Sequence, residues 1–315
     1  MQDPTYTFQT FNDPADPNSP TFNNLMGINN FDLIAGFYGS GQAGDPNKGF
    51  LLTLPGTFTP ENFPGSAQTQ LTGLNDRGIE VGYLYTTNIG TAVDNQFGFY
   101  LKDGVFHEVN NPNTPKASQV DPGVSPQIEN QLMGVNDLNV AVGFYNDAHG
   151  NSHGYTYNIN TGQFSADIND PNAVSTVSAA INNLGRIAGF YTDSGGTIHG
   201  FLDNNGHFTT VDAPGASETQ LLGINDFGIA VGFDVVNGVQ HGIVFDSHTG
   251  KFTTLDPNGS TSTTLNGIND LGQIVGFYVD PNGNTDGLLA NPHLHGPLAL
   301  PTLLGIPEVG HMMHV

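Results

Sequence analysis

Short apolar runs punctuated by Gly and Asn recur along the whole chain, and one pattern returns six times. Its fullest copy covers residues 267–278 and reads GINDLGQIVGFY. The six copies begin at Gly27, Gly73, Gly134, Ala180, Gly223 and Gly267. Successive starts are 43–46 residues apart except for one step of 61. A fixed period of this size is typical of an array of small supersecondary units.

Each copy predicts four β-strands. In the fifth copy, apolar or alternating segments cover residues 218–225, 229–234, 241–246 and 251–256, and Gly- and Asn-containing turns separate them. Short β-rich runs with turn signals at this spacing indicate hairpins in a meander. Four strands repeated radially every 45 residues or so are typical of a propeller. The predicted fold class is therefore all-β, a six-bladed β-propeller with four antiparallel strands per blade.

The sixth copy ends after its third strand, and the missing strand is predicted at the other end of the chain. Residues 6–14 (YTFQTFNDP) resemble the fourth strand and following loop of an earlier copy, residues 208–214 (FTTVDAP). An N-terminal strand that closes the last blade would hide edges that otherwise promote aggregation. The predicted domain is 1–290, followed by an apolar tail at 291–315, with blades at 22–62, 68–110, 128–168, 176–212, 218–256 and 262–290 plus 5–12.

Two glycines in each copy have predicted packing roles. The Gly before Ile-Asn lies on the innermost strand, where blades crowd together and a side chain would block close backbone approach. The Gly before Phe-Tyr is expected to accept an aromatic ring from the next blade. The Asn-Asp or Asn-Asn pair between them predicts an Asx turn.

The repeated GIN[DN]xGxIVGFY segment, followed by HGFL, resembles the HAF-type extracellular repeat of bacterial proteins. The resemblance covers roughly residues 5–290. It implies an exported, bacterial, β-propeller-like protein and transfers no catalytic residue. Residues 1–4 (MQDP) contain no apolar signal core, so a signal peptide is not expected in this chain.

Charge narrows the classes of partner. The chain has 29 Asp and Glu against 6 Lys and Arg, a net charge of -23. Binding to nucleic acid or anionic lipid needs Lys and Arg, so neither partner is expected. Cys is absent, which excludes disulfides and thiol chemistry. No run of about 18 apolar residues is present, so no membrane span is predicted.

Candidate ligand-binding residues lie on the face that we call the upper face. It carries the loops between strands two and three and the connections into the next blade. The connection Pro112–Asn130 is the longest and accounts for the 61-residue step. It is interpreted either as a plain insertion or as the wall of a binding site. The candidate upper-face residues are Asp121, Glu129, Asp170 and Glu218.

Carboxylates at the turns between strands one and two predict a second candidate site, on the opposite, lower face. These residues are Asp76, Asp137, Asp226 and Asp270. Arranged around one channel mouth, they could recruit Ca²⁺ or another divalent cation through oxygen ligands. The alternative is that they form turns through local hydrogen bonds. No Asp-x-Asp-x-Asp-Gly loop is present, so the spacing does not support a dedicated calcium site.

Histidines suggest two further sites. The Gly-x-x-His-Gly motif places His153, His199 and His241 at equivalent positions of three blades, where we interpret each as closing its own hairpin. The tail could chelate a transition metal through His-x-His and His-x-x-His spacings. Alternatively it is an extension that packs on the lower face, or it joins a neighbouring ring and builds a homo-oligomer. The tail histidines are His293, His295, His311 and His314.

The motifs of common enzyme classes are missing from the sequence. Gly-x-Ser-x-Gly, His-Glu-x-x-His and the phosphate loop do not occur. The leading hypothesis is a secreted, non-catalytic propeller that serves as a binding or structural module for extracellular or cell-surface glycan or protein, with no cofactor beyond the cation considered above. One alternative is a glycan-active hydrolase or lyase with its site in the upper funnel. Another is an extracellular subunit that self-assembles through the tail.

Overall fold

The computed structural model describes residues 5–40, 45–86, 95–124 and 128–293. In these ranges the chain forms twenty-four β-strands in six four-stranded antiparallel sheets, and one short 3-10 turn at Ala117–Gln119. No helix among the described residues has the length and apolar character needed to cross a membrane. The chain is a six-bladed β-propeller, as predicted.

The first three blades follow one another along the chain. Blade 1 contains β2 (Asn23–Ile28), β3 (Leu33–Tyr38), β4 (Lys48–Thr53) and β5 (Thr57–Pro60). Blade 2 contains β6 (Gln68–Leu74), β7 (Glu80–Tyr85), β8 (Gln96–Lys102) and β9 (Val105–Val109). Blade 3 contains β10 (Asn130–Val135), β11 (Val140–Asn146), β12 (Ser152–Asn158) and β13 (Gln163–Phe164).

The last three blades include the ring closure. Blade 4 contains β14 (Ala173–Ile181), β15 (Arg186–Asp193), β16 (Ile198–Asn204) and β17 (Phe208–Val211). Blade 5 contains β18 (Glu218–Ile224), β19 (Ile229–Val236), β20 (Val239–Asp246) and β21 (Lys251–Thr254). Blade 6 contains β22 (Ser262–Ile268), β23 (Ile274–Val279), β24 (Thr285–His293) and, as its outer strand, β1 (Thr5–Phe11).

Closure of the ring by the first strand is confirmed. β1 pairs with β24 along its full length, from Thr5 opposite His293 to Phe11 opposite Gly287. Residues 291–293, which the sequence assigns to the tail, continue β24 as paired strand. The rest of the predicted tail lies outside the described residues.

The inner strands approach one another as closely as their glycines predict. A Cβ atom on Gly27 would lie 2.9 Å from the Cα atom of Gly73, and one on Gly267 would lie 3.1 Å from the Cα atom of Gly27. In blade 4 this position is Ala180. Each inner strand also has a β-bulge just before this residue, which bends the strand and re-aims its side chains.

The prediction for the second glycine is wrong in one respect. A Cβ atom on Gly36 would lie 2.8 Å from the ring of Phe50, and one on Gly189 would lie 2.8 Å from the ring of Phe201. These rings belong to the third strand of the same blade. The aromatic ring is therefore supplied by the cross-strand neighbour within the sheet, because the adjacent strands stand closer than the adjacent blade.

The core is divided into apolar layers between neighbouring blades. Six buried clusters are present among the described residues, and each joins two adjacent sheets. Between blades 3 and 4, for example, Val142 packs with Ile187 and Phe201. Because every layer needs both of its sheets, the blades stabilise one another around the ring.

Candidate functional sites

A ring of six asparagines ties the blades together at the lower face. Each side-chain amide donates to the backbone carbonyl of the equivalent asparagine in the next blade, over 2.8–3.2 Å. The last of these bonds runs from Asn269 to Asn29 and closes the circle. Each Oδ1 atom accepts from two backbone N–H groups of its own turn. The members are Asn29, Asn75, Asn136, Asn182, Asn225 and Asn269.

The residue after each of these asparagines forms a second circle, which we call the Asx ring. Each backbone N–H donates to the side-chain Oδ1 atom of the equivalent residue in the next blade, over 2.7–2.9 Å. The ring surrounds a small cavity of about 90 Å³ at the lower channel mouth. Its members are Asn30, Asp76, Asp137, Asn183, Asp226 and Asp270.

The two amides of the Asx ring separate its four carboxylates into pairs. The Nδ2 atom of Asn30 donates to the Oδ2 atoms of Asp76 (2.8 Å) and Asp270 (3.3 Å). Asn183 does the same for Asp137 (2.9 Å) and Asp226 (3.0 Å). These contacts run between blades, so they differ from the local hydrogen bonds of the turn-forming interpretation. No cluster of three His, Asp or Glu side chains suited to a metal occurs among the described residues, and the cation remains a prediction.

A crown of exposed apolar side chains surrounds this mouth. The residue that follows the Asx ring at each turn tip is large and apolar in every blade except blade 2, which has Arg77. These side chains are 56–72% exposed. Sequence reasoning missed the crown, although the signal was available as an apolar residue inside a repeated polar turn. The members of this apolar crown are Phe31, Leu138, Leu184, Phe227 and Leu271.

Three of the four predicted upper-face carboxylates make separate local contacts. Asp121 is exposed and bonds to the Nδ1 atom of His149 over 2.8 Å, which attaches the long insertion to a loop of blade 3. Asp170 is buried and accepts from the backbone N–H of Asn172 within its own turn. Glu218 accepts from the side chain of Gln220 over 2.7 Å.

The fourth, Glu129, lies where polar side chains of blades 2 and 3 converge. Its carboxylate accepts from the side-chain amides of Gln131 (3.1 Å) and Asn146. Gln131 also donates to Gln96, at the start of β8. The backbone there is joined as well, because Gln96 and Glu129 form a parallel bridge between the two blades. We call this group, together with Gln70 and Tyr83 described next, the upper cluster.

Burial changes the protonation of the upper cluster. Desolvation raises the pKa of Glu129 to about 7. Burial also raises the pKa of Tyr83, with smaller contributions from Tyr85 and Glu129. The Tyr83 hydroxyl donates to Gln70 over 2.6 Å. The cluster therefore combines amides and a phenol with a carboxyl group that can exchange its proton near neutral pH.

The repeated histidines bond to acceptors within their own blades, in agreement with their interpretation as hairpin residues. His199 contacts Asp212 (2.9 Å) and Asp193 (3.6 Å), and His241 contacts Asp256 (2.7 Å). His153 contacts Asp147 over 3.3 Å. Asp193 is the last residue of β15, and Asp147 lies in the loop between β11 and β12.

The tail histidines divide between two parts of the chain. His293 is the last described residue and bonds through its Nε2 atom to the hydroxyl of Thr7 on the closing strand. The other three, His295, His311 and His314, lie outside the described residues. Chelation of a metal by the tail therefore stays a prediction.

Comparisons with known proteins identify the fold. No family model matches the chain, and no curated protein is similar to it in sequence. A TolB from Agrobacterium tumefaciens matches with a TM-score of 0.55 and 10% identity, over 93% of this chain and 100% of that one. AofleA from Arthrobotrys oligospora matches with a TM-score of 0.53 and 13% identity, over 93% and 87%.

A third match is partial. TolB from Acinetobacter baumannii is similar with a TM-score of 0.45 and 12% identity over 87% of this chain, and the matched part is 55% of that protein. At 10% and 13% identity, the likeness to the first two structures shows the propeller fold alone.

Proposed function

We propose that this protein is a secreted, non-catalytic propeller that binds extracellular or cell-surface glycan at the upper cluster. The observation that carries the proposal is the convergence of Gln96, Glu129, Gln131 and Asn146 at one blade junction. Amide and carboxylate side chains fixed by one another match the hydroxyl groups of a sugar as donors and acceptors. The resemblance to HAF-type extracellular repeats supports secretion, and the low content of Lys and Arg supports an uncharged partner over an anionic one.

Comparison with blade 5 supports a specific role for this junction. Residues 129–131 (ENQ) and 218–220 (ETQ) occupy equivalent positions at the start of the inner strand, and in both the glutamine donates to the glutamate. In blade 3, Gln131 reaches Gln96 of the preceding blade as well. Both sites therefore have the bond from glutamine to glutamate, and the site in blade 3 also has the contact with the preceding blade.

A glycan array with matched variants tests the proposal. The wild-type chain is expected to retain glycans without releasing products. Gln131→Ala should weaken that binding about tenfold, the usual effect of losing one or two well-placed hydrogen bonds. Gln220→Ala removes the equivalent side chain in blade 5 and should bind as the wild type does. Absence of binding to any glycan, or equal loss in both variants, would contradict the proposal.

One observation favours an enzyme as the second candidate. Glu129 has a pKa raised to about 7 by burial, which suits a group that gives and takes protons near neutral pH. A glycan-active hydrolase or lyase would release products from the glycans that it binds. Glu129→Gln would then abolish product formation while binding persists. Chromatography of the array ligands after incubation separates the two candidates.

A further inference from the structure

An open apolar groove lies on the lower face between blades 5 and 6. Its cavity measures about 320 Å³, close to the lower limit for pockets that hold a ligand. Two members of the apolar crown form its rim, Phe227 (63% exposed) and Leu271 (57% exposed). Most of its lining is apolar and includes Tyr6, Ile229, Val244 and Pro292, while the charged residues Asp246, Lys251 and Asp270 also contribute to it.

One sequence position explains why this groove is apolar. In blade 4 the residue after the turn glycine is Arg186, whose guanidinium crosses to Ser247 of blade 5 over 2.9 Å. In blade 6 it is Gln273, which donates to Asp32 of blade 1 over 2.9 Å. In blade 5 it is Ile229, which lines the groove. Polar side chains therefore bridge the gap between blades 4 and 5 and the gap between blades 6 and 1. The gap between blades 5 and 6 keeps an apolar surface.

The described chain ends at the edge of the same groove. β24 runs toward the lower face, its residue Pro292 lines the groove, and His293 is the last described residue. Residues 294–315 follow directly. Eleven of these 22 residues are apolar, and Glu308 is the one Asp, Glu, Lys or Arg among them. In a chain of net charge -23, this segment has the composition that an apolar groove would bury.

We propose that residues 294–315 dock in this groove of their own chain and cover Phe227 and Leu271. Attachment at His293 holds the segment at a high effective concentration beside the groove, so a weak contact suffices for occupancy. The net charge of -23 opposes the approach of a second copy, which favours the intramolecular occupant. Docking would remove part of the apolar crown from water.

A single thiol in the groove tests the proposal, because the chain has no cysteine of its own. Thr253 lines this groove, and Ser165 occupies the equivalent position in the groove between blades 3 and 4. Thr253→Cys should react with a neutral maleimide about tenfold more slowly in the full chain than in a chain truncated after His293, which corresponds to docking in about 90% of molecules. Ser165→Cys, the matched control, should react equally in both chains.

A second pair of measurements keeps the test decisive. If the truncated chain folds poorly, Leu303→Asp/Leu304→Asp in the full chain should release the thiol at position 253 in the same way. The protection should persist on dilution, with the mass of one chain by light scattering. Equal rates in the full and altered chains would overturn the proposal. Protection that disappears on dilution of an oligomer would overturn it in favour of a second copy.

Discussion

Replacing Asn136 by Ala is expected to destabilise the propeller by about 3 kcal/mol or more. The side chain is 4% exposed and makes three hydrogen bonds of 3.0 Å. It donates to the carbonyl of Asn182 in the next blade and accepts from the backbone N–H groups of Leu138 and Val140. Alanine leaves each of the three backbone partners without its hydrogen bond to the side chain. Each hydrogen bond lost at a buried site costs about 1–3 kcal/mol.

Equilibrium unfolding in urea measures this effect. Leu138→Ala is the matched control, because Leu138 belongs to the same turn but is 56% exposed and keeps its backbone contacts. It should change the free energy of unfolding by less than about 0.5 kcal/mol. A loss below 1 kcal/mol for Asn136→Ala would show that the asparagine ring contributes little to the fold.

Replacing Glu80 by Gln is expected to remove a pH dependence of stability worth about 3 kcal/mol. Glu80 is 8% exposed, and its Oε2 atom is buried with no hydrogen-bond partner among the described residues. Burial, with a smaller contribution from Glu61, raises its pKa to about 7. The equivalent residues of the other blades are buried and apolar: Ile34, Ala141, Ile187, Ala230 and Ile274.

The raised pKa of Glu80 determines the direction of the pH dependence of stability. The folded state holds the proton of Glu80 more tightly than the unfolded state, so the stabilisation is complete below the ordinary pKa of about 4.3 and is lost as the pH rises through 7. Between pH 5 and pH 9, the Gln variant should therefore gain stability relative to the wild type. Glu108→Gln, at an exposed carboxylate, should leave the curve parallel to that of the wild type. Parallel curves for Glu80→Gln would refute the prediction.

The periodic part of the structure could be predicted from the sequence. Strand count, blade order and closure by residues 5–11 follow from a pattern that repeats six times, because the same local signals recur in every blade. Gly27 and its equivalents were correctly assigned to crowded positions. The aromatic partner of Gly36 was assigned to the wrong blade. A repeat shows which residue types meet, but it does not show whether they meet within one blade or between two.

The sites depend on contacts that a repeat does not encode. Glu129 was selected with Asp121 and Asp170 from one set of loops, yet the structure gives the three different surroundings. The distinction arises from Asn146, which meets Glu129 across the first hairpin of blade 3, and from Gln96, which contacts Gln131 only because blades 2 and 3 are side by side. Charged residues are conspicuous in a sequence, whereas the amides that position them are common and therefore give a weak signal.

On the lower face, too, the sequence predicted the residues of the site but not the contacts between them. The Asp residues of the Asx ring were considered as metal ligands because four carboxylates around one axis repel. Asn30 and Asn183 occupy opposite places in the ring and each donates to two carboxylates. Their positions were visible in the sequence, but a repeat does not encode that each amide reaches the carboxylates of both neighbouring blades.

The closed ring is the claim on which both faces depend, because the upper cluster, the Asx ring and the groove all lie between blades. Native-state hydrogen exchange of the Asp270 amide tests it most directly. This N–H donates to the Oδ1 atom of Asn30 over 2.9 Å, across the junction of the last and first blades. In a closed ring, this amide should be protected to the same order as the Asp137 amide, which donates to Asn183 between two consecutive blades. Exchange of the Asp270 amide at the rate of an unstructured peptide, with the Asp137 amide still protected, would contradict it.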